Sequence, residues 1–316
     1  MFHRFARRLL PYACVSALAL SGSATLALAG AAPAAAKPRV LVGVSDNNWA
    51  MFSERSFLRL HVPIARYMVD WNAAIMRDKT ALNYARAWIG AALAAHVQPM
   101  ISFNADPGRA GNYIPSVAVY TRAVRAFMRD FPQVKVYAPW NEPDFNYRRL
   151  SREPRLAAAY FNVMVRYCHH CTIVAGEVYR ATWEGLGSWL RAYQRGLHYR
   201  PIAWALHPYD DVRAHTTGQI RTLQRVVHPR QIWLTEISGV ERRGHWPWHN
   251  QLPNGANRDE RFLFTLPRRF HAITRIYHYQ WQAVPSAFWD SGLLGPQGKP
   301  RPAYWTFADA VHGKLV

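Results

Sequence analysis

Acidic residues are scarce in this chain. Its 316 residues hold 19 Asp+Glu against 39 Lys+Arg, a formal net charge of +20. That excess favours anionic surroundings, such as a cell envelope, an acidic polysaccharide or nucleic acid. No nucleic-acid motif accompanies it, so nucleic acid is set aside. The alternative is an arginine-rich composition dispersed over helix faces, because the basic residues are scattered along the chain. Cysteine is scarcer still, with three residues. Cys168 and Cys171 stand in Cys-His-His-Cys, and with no second ligand cluster beside them a metal centre or thiol–disulfide chemistry lacks its partners. In an exported chain a local disulfide is the simplest reading. A glycine-rich phosphate turn is missing after the first strand, which argues against a doubly wound nucleotide-binding sheet. The chain beyond residue 36 contains no repeat and no low-complexity tract.

Long apolar runs are confined to the N-terminus. A basic start (Arg4, Arg7, Arg8), an apolar stretch from Tyr12 to Gly30 and the small-residue end Ala32-Pro-Ala-Ala-Ala36 read as a secretory signal peptide over residues 1–36. An uncleaved anchor is the rival reading. No later stretch approaches the roughly 18 apolar residues of a membrane span, so a soluble protein outside the cytoplasm, secreted or periplasmic, is expected once the signal is removed. Cleavage would take Cys14 and three arginines with it, leaving 280 residues with a formal charge of +17. That length sits above the roughly 250 residues of an eight-fold βα barrel, and a single catalytic domain over 37–316 is expected.

Within it, β-favouring segments recur after helix-like ones, the pattern of successive βα units. The strands are expected at 39–45, 64–70, 98–103, 134–140, 172–176, 202–207, 231–235 and 275–281. Helices are expected at 81–95, 117–130, 153–167, 183–196, 217–227 and 258–272, with apolar residues near helical spacing, as in Leu156, Tyr160, Met164 and Tyr167. Eight strands in this alternation predict an α/β fold closed as a (β/α)8 TIM barrel, with a doubly wound sheet as runner-up. In such barrels the reacting groups sit at the C-terminal strand ends.

Two of those ends are distinctive. Val136-Tyr-Ala-Pro-Trp-Asn-Glu-Pro-Asp144 and Gln231-Ile-Trp-Leu-Thr-Glu-Ile-Ser-Gly239 each end a β-rich run in a glutamate, and Glu142 and Glu236 lie ninety-four residues apart. Two carboxyl groups facing each other across a cleft are what glycosidic cleavage needs. One protonates the leaving oxygen, and the other attacks or activates water. The other strand ends add amides, carboxylates and aromatics, a mixture that suits sugar hydroxyls and the C–H faces of sugar rings. After strand seven, His245-Trp246-Pro-Trp248-His249 reads as a binding loop on the rim rather than a helical metal-ligand face.

With Trp140-Asn141-Glu142-Pro143, Thr235-Glu236, His207-Pro208-Tyr209, Arg66, Trp281 and the tail from Asp290 to Tyr304, the chain resembles the clan A glycoside hydrolases, nearest families five and thirty-nine. These are βα barrels that cleave β-linked glycans with retention. The resemblance implies Glu142 as acid/base and Glu236 as nucleophile. The substrate-side group it implies is Arg66, Asn141, His207, Tyr209 and Trp281, to which the loop adds Trp246 and Trp248. Asn141 would hold the sugar 2-hydroxyl, Tyr209 would bond Glu236, Arg66 would keep that carboxylate ionised, and Trp281 would floor the subsite beside the cut. Glu177 and Asp70 are left outside the catalytic set. No cofactor or metal is required. The partner is a carbohydrate, with a lean toward an anionic glycan or envelope polymer. A transglycosylase on the same scaffold and a barrel that binds envelope polysaccharide without cutting it stand as alternatives.

Overall fold

The computed structural model describes residues 40–108, 113–145, 149–179, 185–244, 246–247 and 255–316. The expected signal segment and the loop residue Trp248 lie outside them. Nine parallel strands form the main sheet: β1 (Leu41–Ser45), β2 (Ile64–Asp70), β3 (Gln98–Asn104), β4 (Val136–Ala138), β5 (Thr172–Ile173), β6 (Ala175–Val178), β7 (Ala203–Leu206), β8 (Gln231–Ile237) and, after a small sheet on the loops, β11 (Ile273–His278). Neighbours run β5-β4-β3-β2-β1-β11-β8-β7-β6. The two ends of that order are one stave: only Val174 separates β5 from β6, and its N–H donates to Tyr137 O at 2.8 Å. The eight expected strands therefore close a TIM barrel.

The strands alternate by parity. Ile64, Met100, Val136, Ala138, Val174, Ala203, Ala205, Trp233 and Tyr277 fill the interior, while the opposite side chains pack beneath the helices. The covering helices are α2 (Thr80–Ala94), α3 (Val117–Asp130), α4 (Pro154–Tyr167), α5 (Gly185–Gln194), α7 (Gly218–Val227), α8 (Gly255–Arg269) and α9 (Pro302–Val311). Two short ones, α1 (Arg55–Leu58) and α6 (Tyr209–Ala214), sit in connections. In α3 the buried residues Tyr120, Ala123, Val124 and Phe127 make one stripe at helical spacing, which is why its expected bounds match the observed ones.

Two strands break parity near their C-terminal ends. The register of β6 on β7 runs Gly176↔Ala205 and then Val178↔Leu206, and that of β11 on β8 runs Ile276↔Leu234 and then His278↔Ile237. An extra residue is accommodated on β6 and on β8, and a bulge of this kind re-aims side chains. Glu177 and Glu236 lie within these irregular stretches. The small sheet pairs β9 (Arg242–Arg243) with β10 (Trp246–Pro247) and β12 (Trp289–Asp290), joining the loops that follow β8 and β11. Among the described residues, no helix is long and apolar enough to cross a membrane.

The tightest backbone approach inside the barrel is at Gly43 of β1, where a Cβ would stand 2.0 Å from Ile64 O. Gly43→Ala is expected to lose about 1–3 kcal/mol of stability in urea unfolding, as overpacked cores do, because only backbone movement relieves the clash.

Candidate active site

Arg66 projects from β2 into the barrel above Ile64 and is fully buried. A guanidinium has five N–H donors, and each has an acceptor here. Nε meets Glu177 Oε1 at 2.7 Å. Nη1 meets Ser45 Oγ at 2.8 Å and Glu236 Oε2 at 2.9 Å, while Nη2 meets Ser102 Oγ at 3.3 Å and Asn141 Oδ1 at 2.7 Å. Ser102 also donates to the second oxygen of Glu177. Burial on its own would lower the Arg66 pKa, but the charges of Glu177 and Glu236 raise it above its usual value, so Arg66 is a permanent cation. By accepting from Arg66, the Asn141 oxygen leaves the amide's NH2 as its donor end.

Glu142 follows β4 in the left-handed region, φ 45°, and Glu177 sits in β6 at φ 54°. Non-glycine residues there carry roughly 1–3 kcal/mol of strain each. The two are stitched together by Glu142 N donating to Glu177 O at 3.1 Å. His207, at the end of β7, is fully buried between Glu142 Oε1, 3.1 Å from Nδ1, and Thr235 Oγ1, 3.0 Å from Nε2. Burial pushes its pKa down to about 4, with the Arg66 charge acting the same way, so the ring is neutral near pH 7. Tyr209 opens α6 and donates to Glu236 Oε1 at 3.4 Å. Burial pushes the Glu236 carboxyl up from the usual carboxylate range, and His207 and Arg66 pull it back.

The accessibilities divide this cluster. Arg66, Glu177 and His207 have side chains that are 0% exposed, whereas Glu142 keeps 17% and Glu236 12%. Glu142, His207 and Glu236 each bring one oxygen or nitrogen within 4.8 Å of the others. The two carboxylates therefore face each other, with one oxygen apiece inside that distance. The same spacing suits a cation, but both His207 nitrogens already have protein partners that a metal would have to displace.

Six of the expected residues thus converge: Arg66, Asn141, Glu142, His207, Tyr209 and Glu236. Three placements differ from expectation. Arg66 and His207, grouped with the substrate contacts, present no surface to a ligand; Arg66 bonds Glu236, the carboxylate it was expected to serve, and His207 bonds Glu142. Trp281 is fully buried, its indole N–H donating to Glu54 Oε2 at 2.8 Å and its ring edges meeting Phe57 and Tyr304. A ring with no open face cannot stack on a sugar, so Trp281 braces the end of β11 rather than flooring a subsite. Trp246 is placed by its backbone alone, in β10. Cys168 and Cys171 are bonded, with Cα atoms 5.4 Å apart.

Sequence reasoning passed over Glu177, since an isolated strand-end glutamate is usually a surface group, and it passed over Ser45 and Ser102 as acceptors for Arg66. It left Trp289 open. The structure sets that half-buried ring 5.1 Å from the Tyr209 ring, beside Glu236.

A family model for the glycosyl hydrolase catalytic core matches residues 115–298, more than half of the chain, and the chain belongs to that family. The barrel is similar to that of a family 39 glycoside hydrolase from the gut symbiont Bacteroides cellulosilyticus WH2, with a TM-score of 0.59 and 14% identity over 87% of this chain and 64% of that one. The chain thus spans less than two thirds of that protein. A triple variant of an endo-β-1,4-glucanase from Xanthomonas axonopodis pv. citri gives a TM-score of 0.63 and 13% identity over 87% of this chain and 99% of that one. The family 1 β-glucosidase from Thermotoga maritima gives 0.59 and 9% over 85% and 86%. At these identities the likeness is one of fold. No curated protein matches the sequence. The family makes the chain a glycosidase, and its barrel is the fold that those neighbours share.

Two outcomes are expected. Arg66→Gln, which leaves two buried carboxylates without their cation, should cost about 3–5 kcal/mol in urea unfolding, and Arg66→Gln/Glu177→Gln should recover part of it. For His207 the folded pKa, about 4, lies below the ordinary histidine value of 6.5. Its contribution is therefore present above pH 6.5 and lost as pH falls toward 4, roughly 3 kcal/mol in all. Unfolding free energies between pH 7 and 4 should fall more steeply in the parent protein than in His207→Gln.

Proposed function

We propose that this glycosidase is a secreted, retaining enzyme acting on a β-linked glycan, with Glu142 as acid/base and Glu236 as nucleophile. One observation carries the reading: the two carboxylates with open surface bring one oxygen apiece within 4.8 Å and stand on a buried network that has none, which supports the roughly 5–5.5 Å spacing of a retaining pair. The chemistry follows from the partners each carboxylate keeps. Glu236 must attack as an anion, and Arg66 Nη1 and the Tyr209 hydroxyl each take one of its oxygens, which fixes the carboxylate plane and opposes the effect of burial. Glu142 must arrive protonated and give its proton to the leaving oxygen. It then serves as base toward water when the glycosyl-enzyme is hydrolysed.

The neutral His207 contacts Glu142 Oε1 through Nδ1 in both stages. It accepts a hydrogen bond from the acid form, or donates one to the carboxylate form, with the Thr235 hydroxyl adjusting at Nε2. In this reading Asn141, its oxygen fixed by Arg66, holds the sugar 2-hydroxyl, where contacts strengthen as positive charge develops at the anomeric carbon. Trp289 packs on Tyr209, the partner of the nucleophile, and would offer a ring to the sugar. Residues 1–36 act as the export signal. Cleavage would give an extracytoplasmic product beginning at Lys37.

The test is product analysis on neutral and acidic β-linked polysaccharides, with the first-formed anomer read by NMR. Retention of configuration is expected, and Glu142→Gln and Glu236→Gln should each lower kcat by at least about a hundredfold. A glycoside carrying an activated aryl leaving group should lose less in Glu142→Gln than in Glu236→Gln, because it needs no acid. Binding without products, equal in all three proteins, would instead establish a non-catalytic barrel. Because the Glu236 pKa is raised, the acid limb of kcat/KM should lie above the ordinary glutamate value of 4.5.

A further inference from the structure

We infer that the face of the barrel opposite the catalytic cleft carries a second binding site, for an anionic polysaccharide bearing carboxylate or sulfate groups. All strands of the main sheet are parallel, so the segments leading from helices into strands share that face. These segments are residues 59–63, 95–97, 131–135, 168–171, 195–202, 228–230 and 270–272, with 312–316 after α9. Together they hold eight of the chain's fourteen histidines and none of its 19 acids. Two acids stand near this face, both beside a cation: Asp130, the last residue of α3, lies 3.8 Å from Arg129, and Asp309, in the last turn of α9, lies 2.8 Å from Lys314.

The charge is gathered around a built cleft. A cavity of about 460 Å³ opens between the ends of α5 and α7, with His198, Tyr199, Arg200, His228 and Arg230 at its mouth and Trp204 in its wall. The five mouth residues are exposed, and no ion pair engages either arginine among the described residues. Ala203 and Gln231 are register partners on β7 and β8, so Arg200 and Arg230 emerge from neighbouring staves a few residues earlier. Two guanidinium forks lining one cleft suit carboxylate or sulfate, which they hold through paired N–H donors. Tyr199, 42% exposed, adds a ring for a sugar's C–H face.

A second cleft, about 310 Å³, repeats the chemistry at the start of β4 with Arg125, Arg129, Lys135 and the 40% exposed Tyr167. The Arg125 guanidinium stands 4.6 Å from that ring. A polymer chain with regularly spaced anionic groups enters concave sites of this kind. A flat lipid headgroup layer does not, and base readout has no motif here.

The experiment is retention of the full chain on immobilised polygalacturonate and heparin, with cellulose as the neutral control. It compares the parent protein, Arg200→Gln/Arg230→Gln, and Arg122→Gln/Arg261→Gln, the last removing equal charge from exposed positions on α3 and α8. The expected result is salt-sensitive retention on the anionic polymers that weakens about tenfold in Arg200→Gln/Arg230→Gln alone, with cleavage of a small aryl glycoside unchanged. Reading retention on Glu236→Gln as well separates this site from the assignment of the catalytic pair. Equal weakening in both double variants would show net charge without a site. Binding to phosphatidylglycerol vesicles or DNA but not to the polysaccharides would assign the face to another partner. Either result overturns the proposal.

Discussion

The arrangement at the top of this barrel depends on one buried cation. Arg66 reaches from β2 into the barrel, and its five N–H groups find acceptors contributed by β1, β3, the loop after β4, β6 and β8. A guanidinium with no water around it tolerates no unfilled donor, and two buried carboxylates tolerate no missing cation. Five separate staves are thereby held to one geometry. Glu177, which has no surface of its own, completes the arrangement. It balances Arg66 and orients it through Nε, so that Nη1 points at Glu236.

In the proposed mechanism the division between buried supports and open carboxylates is also a division of chemical roles. His207 is neutral because burial drives its pKa to about 4, and a neutral imidazole exchanges donor and acceptor roles beside a carboxyl group that must gain and lose a proton. A charged imidazole would hold Glu142 as a salt bridge. Glu236 feels two opposed influences, burial and Arg66, and the Tyr209 contact adds direction to a carboxylate that must present one oxygen to the anomeric carbon. Strain at Glu142 and Glu177 belongs to the same construction, since left-handed backbone turns both side chains where regular strands would not aim them.

Charge is distributed with the same economy. The carboxylates of the proposed catalytic pair lie at the C-terminal strand ends, while the opposite loops are free of Asp and Glu and rich in histidine.

Much of this was legible in the order of residues. Strand and helix periods are local properties, so all eight staves were found within a few residues of their observed bounds, with α3 and β2 matched at both ends. The catalytic glutamate candidates stood out because each ends a β-rich run, and Asn141, Tyr209 and Arg66 came with the resemblance those runs carry. Other features depended on tertiary pairing. The bulges in β6 and β8 exist only relative to β7 and β11, and with them the inward aim of Glu177. The burial of Trp281 requires Glu54, Phe57 and Tyr304, and that of His207 requires Thr235 and Arg66, which are distant in the chain. Sequence by itself determined which residues end each strand, because side-chain alternation and helical spacing are set within a few residues. Only the closed barrel decided which of those ends face the cleft and which support it, because accessibility and charge balance are set by neighbours that meet after folding.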